Sequence, residues 1–207
     1  ILLRQLAMNK DFIERFHREA RIAAKLSHNN IVQAIDSGEF CNHHYFVMEY
    51  VDGTNIKQEL DKGKVYEEKE AVRIITQIAE AMNHANQKGL IHRDIKPENI
   101  MLMKDGTAKL ADLGLARLTA DDAWAQSEKG IAIGTPYYIS PEQIRGAVDV
   151  DIRSDIYSLG ATLYQMLTGK PPFRGVSFAS LLKQVEEVDP DPLPAHLPAE
   201  VQDVVAR

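Results

Sequence analysis

Ile91-His92-Arg93-Asp94-Ile95-Lys96-Pro97-Glu98-Asn99 is a charged and polar run set between two strongly patterned segments. Upstream, the spacing of Ala71, Ile74, Ile75, Ile78, Met82 and Ala85 predicts a helix from about Glu67 to Gln87. Its first turn is acidic, and Gly89 follows in the position that ends such helices. Downstream, Ile100–Met103 and Ala108–Ala111 flank Lys104-Asp105-Gly106-Thr107, which reads as a hairpin with an Asp-Gly turn. Just past the second strand comes Asp112-Leu113-Gly114, then Gly134-Thr135-Pro136, then Ser140-Pro141-Glu142. Taken singly, Asp94 would be a turn residue, Asp112 an Asp turn at a strand end, and Gly-Thr-Pro an ordinary turn string. Their order and spacing together carry the signal.

Working outward, Asp11-Phe12-Ile13-Glu14 resembles a helix-opening capping box. From there Phe12, Phe16, Glu19, Ala23 and Leu26 share one helical face, with Arg15, Arg18, Arg21 and Lys25 toward the other. Glu19 is a carboxylate in line with an apolar stripe. Either it faces a cation, since carboxylates are seldom buried unpaired, or it lies at the edge of the stripe in water. Strands are expected at Ile31–Ile35 and Tyr45–Val51, joined through Asp36–His44 with Gly38 at the turn. His43 and His44 would face opposite sides of a strand, which disfavours a metal site there. The stretch from Leu113 to Pro141 has no sustained period and is long enough to suggest a functional loop. Ser154 or Asp155 is expected to open a helix that is apolar almost all round and ends at Gly169; Phe178–Val188 is a further helix. The sum is an α+β chain: a small β-containing piece at 1–51, then a mainly helical piece at 52–207.

The 207 residues include 44% hydrophobic and 26% charged side chains, enough to exclude disorder and supply a core. A net charge of -6 without a dense Lys/Arg cluster argues against nucleic acid or anionic membrane as partner. Cys41 is the single cysteine, so no internal disulfide can form. Ile156–Leu167 is too short and too interrupted to span a bilayer. The chain opens on Ile1-Leu2-Leu3 without Met and closes within the helix-like Pro198–Arg207, so it reads as an excerpt of a longer protein, expected in the cytoplasm with a membrane anchor outside these residues left open.

The run from His92 to Asn99, the Asp112-Leu113-Gly114 triplet and the Ser140-Pro141-Glu142 segment together resemble the protein kinase family. Lys96 two positions after Asp94 is the serine/threonine variant, and Ser140–Gln143 with Asp151–Gly160 looks most like bacterial members. The resemblance implies a two-lobed fold and transfer of the ATP γ-phosphoryl group to Ser/Thr hydroxyls of protein substrates, with Mg2+. It implies that Asp94 orients or accepts the hydroxyl proton, that Lys96 reaches the γ-phosphate, and that Asn99 and Asp112 hold the metal. Thr135 would steady the substrate side near Asp94 and Lys96. Met48 would be the gatekeeper, the backbone of Glu49 and Val51 would meet the adenine edge, and Met101 would floor the base; Met and Val suit any core strand equally. Glu19 would pair with a phosphate-gripping lysine lying before Ile1. His92 and Asp155 would be supports for the catalytic loop, and Glu142 would match a position that pairs with a downstream arginine. Arg93, with Arg117 and Arg15, would gather a phosphate placed on Thr119 or Ser127 by loop autophosphorylation.

Two other readings share these motifs. One is a pseudokinase or nucleotide-binding scaffold, against which stand Asp94, Asn99 and Asp112. The other is a small-molecule phosphotransferase with a related loop, against which stand Lys96 and the Ser-Pro-Glu segment. The 207 residues alone are expected to bind ATP weakly and turn over little, with an exposed edge on their small sheet.

Overall fold

The computed structural model describes residues 1–2, 6–8, 10–112, 137–146, 150–175 and 178–206. Helix α1 spans Lys10–Ala23 and buries Phe12, Phe16, Ala20 and Ala23, with Leu26 just beyond its end. The anticipated stripe is thus its inward face. The helix starts two residues earlier than the sequence suggested, so Asp11 lies in the first turn and not at the cap. An acidic residue suits the positive helix end in either place.

Strands β1 (Ala34–Phe40) and β2 (His43–Met48) form an antiparallel hairpin. The expected turn at Gly38 is corrected: β1 runs through Gly38, and the chain reverses at Cys41-Asn42, both with positive φ (49° and 61°). That is the backbone a tight two-residue hairpin turn needs, and Asn tolerates it. Gly38 has a different cause. It lies opposite Tyr45, and a Cβ there would come within 2.6 Å of the Tyr45 hydroxyl. The glycine makes room for a cross-strand ring. The expected strand at Ile31–Ile35 is also displaced: Ile31 and Val32 do not pair with β2. Val32 N–H donates to Leu110 O (2.9 Å) and Leu110 N–H to Asn30 O (2.8 Å), so this segment joins a different sheet. His43 is exposed and His44 buried, opposite faces as expected, and His44 Nδ1 lies 3.0 Å from His17 Nε2 of α1.

That second sheet comprises β3 (Gly53–Asn55), β4 (Ile100–Met103) and β5 (Ala108–Leu110), all antiparallel in the order β3-β4-β5. A Cβ on Gly53 would sit 2.1 Å from Leu102 O, so only glycine allows β3 to approach β4. Helix α2 (Ile56–Asp61) follows at once, opened by a capping box between Asn55 and Gln58. Neither β3 nor α2 was expected, although Asn55-Ile56-Lys57-Gln58 carries the cap signature. Helix α3 (Glu68–Asn86) matches expectation and buries Ala71, Ile74, Ile78, Ala81, Met82 and Ala85. Later come α4 (Pro141–Ile144), α5 (Ile152–Thr168), α6 (Phe178–Glu187) and α7 (Ala199–Ala206).

Helix α5 opens two residues before Ser154, because Asp151 supplies the cap by accepting Arg153 N–H. It ends at Gly169 with φ 73°, as expected. Packed against α3, its Leu159, Leu163, Met166 and Leu167 make one core with Ile74, Ile78, Met82, Ile100, Leu110, Ile31 and Leu26. Fully burying each such side chain contributes about 1.5–3 kcal/mol. The core therefore fixes α3, the β4–β5 hairpin and α5 as one support. No helix among the described residues is long and apolar enough to cross a membrane.

Lys64 ties α2 to α3, reaching Glu59 at 2.8 Å and Glu70 at 2.9 Å, while the buried Tyr66 hydroxyl donates to Glu59 (2.8 Å). Burial pushes the Glu59 carboxyl up, but hydrogen bonds from Lys64, Tyr66 and Thr54 outweigh it and hold it below the ordinary value of 4.5. With the folded-state value below the unfolded one, the contribution is complete above about pH 4.5 and is lost as pH falls through the folded-state value. Glu59→Gln is expected to flatten the acid limb of a Tm-versus-pH curve. An unchanged acid limb would show that other carboxylates set it.

Candidate active site

The segment Ile91–Asn99 leaves α3 at Gly89 (φ 75°) and passes over the first turn of α5. There the carboxylate of Asp155, 1% exposed, accepts His92 N–H (2.7 Å) and Arg93 N–H (2.6 Å). The Nδ1 of His92 accepts Asp94 N–H (3.2 Å), so the ring proton is on Nε2, which donates to Ala111 O (3.0 Å). Arg93 adopts φ 63°, a region that L residues rarely occupy without being held there. It is held on both sides: its N–H by Asp155 and its carbonyl by Gln143 Nε2 (3.2 Å).

This bend presents Asp94, whose Oδ2 accepts from Lys96 Nζ (2.7 Å) and Asn99 Nδ2 (3.0 Å). Asn99 Nδ2 also donates to the Asp94 carbonyl (2.8 Å). Asn99 is buried in a short 3-10 turn, Pro97–Asn99, whose proline stiffens its start. The Asp94 side chain is 44% exposed, so the carboxylate is fixed at its base and open to a reactant.

Asp112 follows β5. Ala111 N–H donates to Asn99 O (2.8 Å), and His92 holds the Ala111 carbonyl, so the residue before Asp112 is tied to both ends of the loop. Asp112 itself is exposed with φ 55°. Among the described residues no hydrogen bond joins it to Asp94 or Asn99; the backbone of its neighbour Ala111 ties its strand end to Asn99. The donor chemistry suits a hard cation. With its nitrogen committed to Asp94, the Asn99 amide has its oxygen left, and Asp112 offers a carboxylate; both are hard donors.

Of the residues expected around a base, Val51 is buried with Val32 and Ala111, and Met101 and Met103 pack against them. Met101 is partly buried against that cluster. Met48 ends β2 and is 41% exposed. The Glu49 side chain is turned away: its carboxylate accepts Gln33 N–H (2.9 Å) and pairs with Lys109 (2.7 Å). Burial raises the Glu49 carboxyl, and those two contacts more than offset it. The Glu49 backbone N–H in turn donates to Gln33 O (2.9 Å). Thr135, Leu113, Gly114, Arg117, Thr119 and Ser127 lie outside the described residues, as do the side chains of Glu19 and Arg15.

The support from α4 was missed at the sequence level. Ser140 and Gln143 form a capping box, and the same Gln143 reaches Arg93 O. The Ser-x-x-Gln signature was available at Ser140-Pro141-Glu142-Gln143. Glu142, matched to a position whose arginine partner was not expected within these residues, accepts from Ser154 Oγ of α5. Burial pushes this carboxyl up, but hydrogen bonds from Ser154, its own backbone N–H and Ser140, with the Arg153 charge nearby, together outweigh it and hold it below the ordinary value.

With this geometry in place, comparison with known proteins is consistent in every case. The family model described as protein kinase domain matches residues 2–206. Serine/threonine-protein kinase PknB of Mycolicibacterium smegmatis is 42% identical over 196 residues, covering 93% of this chain and 31% of that protein. Its namesake in Mycobacterium tuberculosis H37Rv is 41% identical over 214 residues, covering 100% of this chain and 34% of that protein. The probable PknB of Lactococcus lactis is 40% identical over 210 residues, with 100% and 33% coverage. The chain spans about a third of the length of the curated relatives it matches. The loop that presents Asp94, the strand that delivers Asp112 and the match over nearly every residue lead to one conclusion: this chain belongs to the protein kinase family.

Proposed function

We propose that the protein is a serine/threonine protein kinase that transfers the γ-phosphoryl group of ATP to Ser/Thr hydroxyls of proteins. The observation that carries this reading is the Asp94 carboxylate, held by Lys96 and Asn99 and still open to solvent. In the reaction the substrate hydroxyl oxygen forms a bond to the γ-phosphorus as the bond to the β-bridging oxygen breaks. The hydroxyl proton passes to Asp94, and ADP leaves. Lys96, bonded to Asp94 in this structure, would hold charge on the transferring group. Asn99 and Asp112 would hold Mg2+, which supplies charge neutralisation of the phosphates when bound. Residues 1–51 would be the small lobe and 52–207 the large one, with Met48, Glu49, Val51 and Met101 around the base and Glu19 serving a phosphate-gripping lysine. Thr135 would steady the substrate side, and a phosphate on Thr119 or Ser127 would order the loop.

The test is incubation of the full-length protein with γ-labelled ATP, Mg2+ and a library of Ser-, Thr- and Tyr-containing peptides. The expected product is phosphoserine or phosphothreonine in the peptide. ATP binding without transfer would replace this reading with a nucleotide-binding scaffold. Label on a small metabolite alone would indicate a small-molecule phosphotransferase.

A further inference from the structure

Strand β5 delivers Asp112, and its two edges are held differently. On one edge it pairs with β4 throughout. On the other, the backbone of residues 30–32 pairs with Leu110: Leu110 N–H to Asn30 O, and Val32 N–H to Leu110 O. At Ala108, two residues earlier, no strand among the described residues pairs on this edge. Two side-chain amides take its place. Gln77 Oε1, from α3, accepts Ala108 N–H (3.0 Å), and Asn30 Nδ2 donates to Ala108 O (2.8 Å). Asn30 Nδ2 also donates to Gln77 Oε1 (2.8 Å), closing a triangle among the segment after α1, helix α3 and strand β5. Ala108 is fully buried and Asn30 is 8% exposed, so water is a poor substitute for either partner.

We infer that Asn30 and Gln77 are positioning residues that complete the sheet edge at Ala108 and so fix Asp112 against Asn99. The inference rests on the kinase reading for its activity readout and on geometry alone for the rest. Asp112 sits at φ 55°, an unfavourable conformation that persists only where the surroundings hold it. The restraints before it are the Ala111 N–H on Asn99, the His92 contact, and the two-sided pairing of β5. The same pairing ties the chain leaving α1 to this strand, so one clasp registers the helix that carries Glu19 against the hairpin that carries the Asn99 and Asp112 oxygens. Gln77 Nε2 adds only long contacts, 3.3 Å to Gly106 O and 3.4 Å to Arg73 O, so its oxygen is the important atom.

The test compares Gln77→Leu with Gln77→Glu in the full-length protein. Glu keeps an acceptor oxygen at the same reach; Leu leaves the Ala108 N–H and the Asn30 amide without it. Gln77→Leu is expected to lower kcat about tenfold and raise the Mg2+ concentration for half-maximal rate severalfold, with KM for ATP changed less than about twofold. Gln77→Glu is expected to restore both. Independently of turnover, Mn2+ binding in the presence of a non-hydrolysable ATP analogue, followed by loss of the free-ion EPR signal, is expected to weaken about tenfold in Gln77→Leu only. If Gln77→Leu does not fold, Asn30→Ser is measured in the same way with the same expectation. A variant with lower Tm but unchanged kcat, Mg2+ dependence and Mn2+ binding overturns the inference. A wild-type protein that binds Mn2+ and nucleotide but transfers no phosphate sinks the kinase reading and leaves the Mn2+ comparison to decide this one.

Discussion

Asp94→Asn in the full-length protein is expected to reduce kcat for phosphoryl transfer by about a thousandfold, within the range a positioned proton acceptor contributes. The structure says why so small a change should matter. A single oxygen, Oδ2, accepts from both Lys96 Nζ and Asn99 Nδ2. An amide in its place has one oxygen and one NH2 group. In either orientation it lacks the negative charge that binds the Lys96 ammonium, and in one of them it sets NH2 against two donors. The base is lost and Lys96 is released together. Because the side chain is 44% exposed, little desolvation is at stake and the fold should survive. Tm is therefore expected within a few degrees of wild type, and ATP binding should persist. Single-turnover transfer beside a melting curve separates the two effects. Activity within tenfold of wild type would remove Asp94 from the chemistry.

Asp155→Ala is expected to be the most destabilising of these substitutions, by about 3–5 kcal/mol, and to abolish activity through the loop. Two effects compete. The carboxylate is almost completely buried, so its removal relieves a desolvation cost. Against that, the backbone N–H groups of His92 and Arg93 lose short, charge-assisted bonds of 2.7 and 2.6 Å. The second effect should win, because alanine leaves a cavity and two donors with no acceptor. Arg93 would also lose half of what keeps it at positive φ, and Asp94 is the next residue. Denaturant unfolding should show a large fall in midpoint; at this chain length about 2–4 °C of Tm goes with each kcal/mol. Asp155→Asn keeps one acceptor and should fall between wild type and Asp155→Ala. A midpoint unchanged in Asp155→Ala would mean that the loop is held chiefly by His92 and Gln143.

Where local chemistry decides structure, the sequence was legible. The α3 stripe, the Asp105-Gly106 turn, Gly169 at the end of α5 and the buried face of α1 follow from helical spacing and turn residues. The misreadings at Gly38 and Ile31 share one physical cause. A glycine in a short polar stretch signals a turn, but at position 38 its cause is a ring on the neighbouring strand. Ile31 and Val32 look like the start of β1, yet their partner is Leu110, far along the chain. Propensity and periodicity report on neighbours in sequence. They carry no information about which distant strand supplies the hydrogen bonds.

By itself the sequence determined the residue types of the site, their order, and the helix and hairpin that frame them, because capping, periodicity and turn formation act over a few residues. Only the tertiary structure decided how those residues are held. Asp155 reaches the loop from α5, Gln143 holds Arg93 from α4, and two amides from separate segments stand in for a missing strand beside Ala108. Buried N–H and C=O groups must find partners wherever the packed core puts them, and those partners lie dozens of residues away.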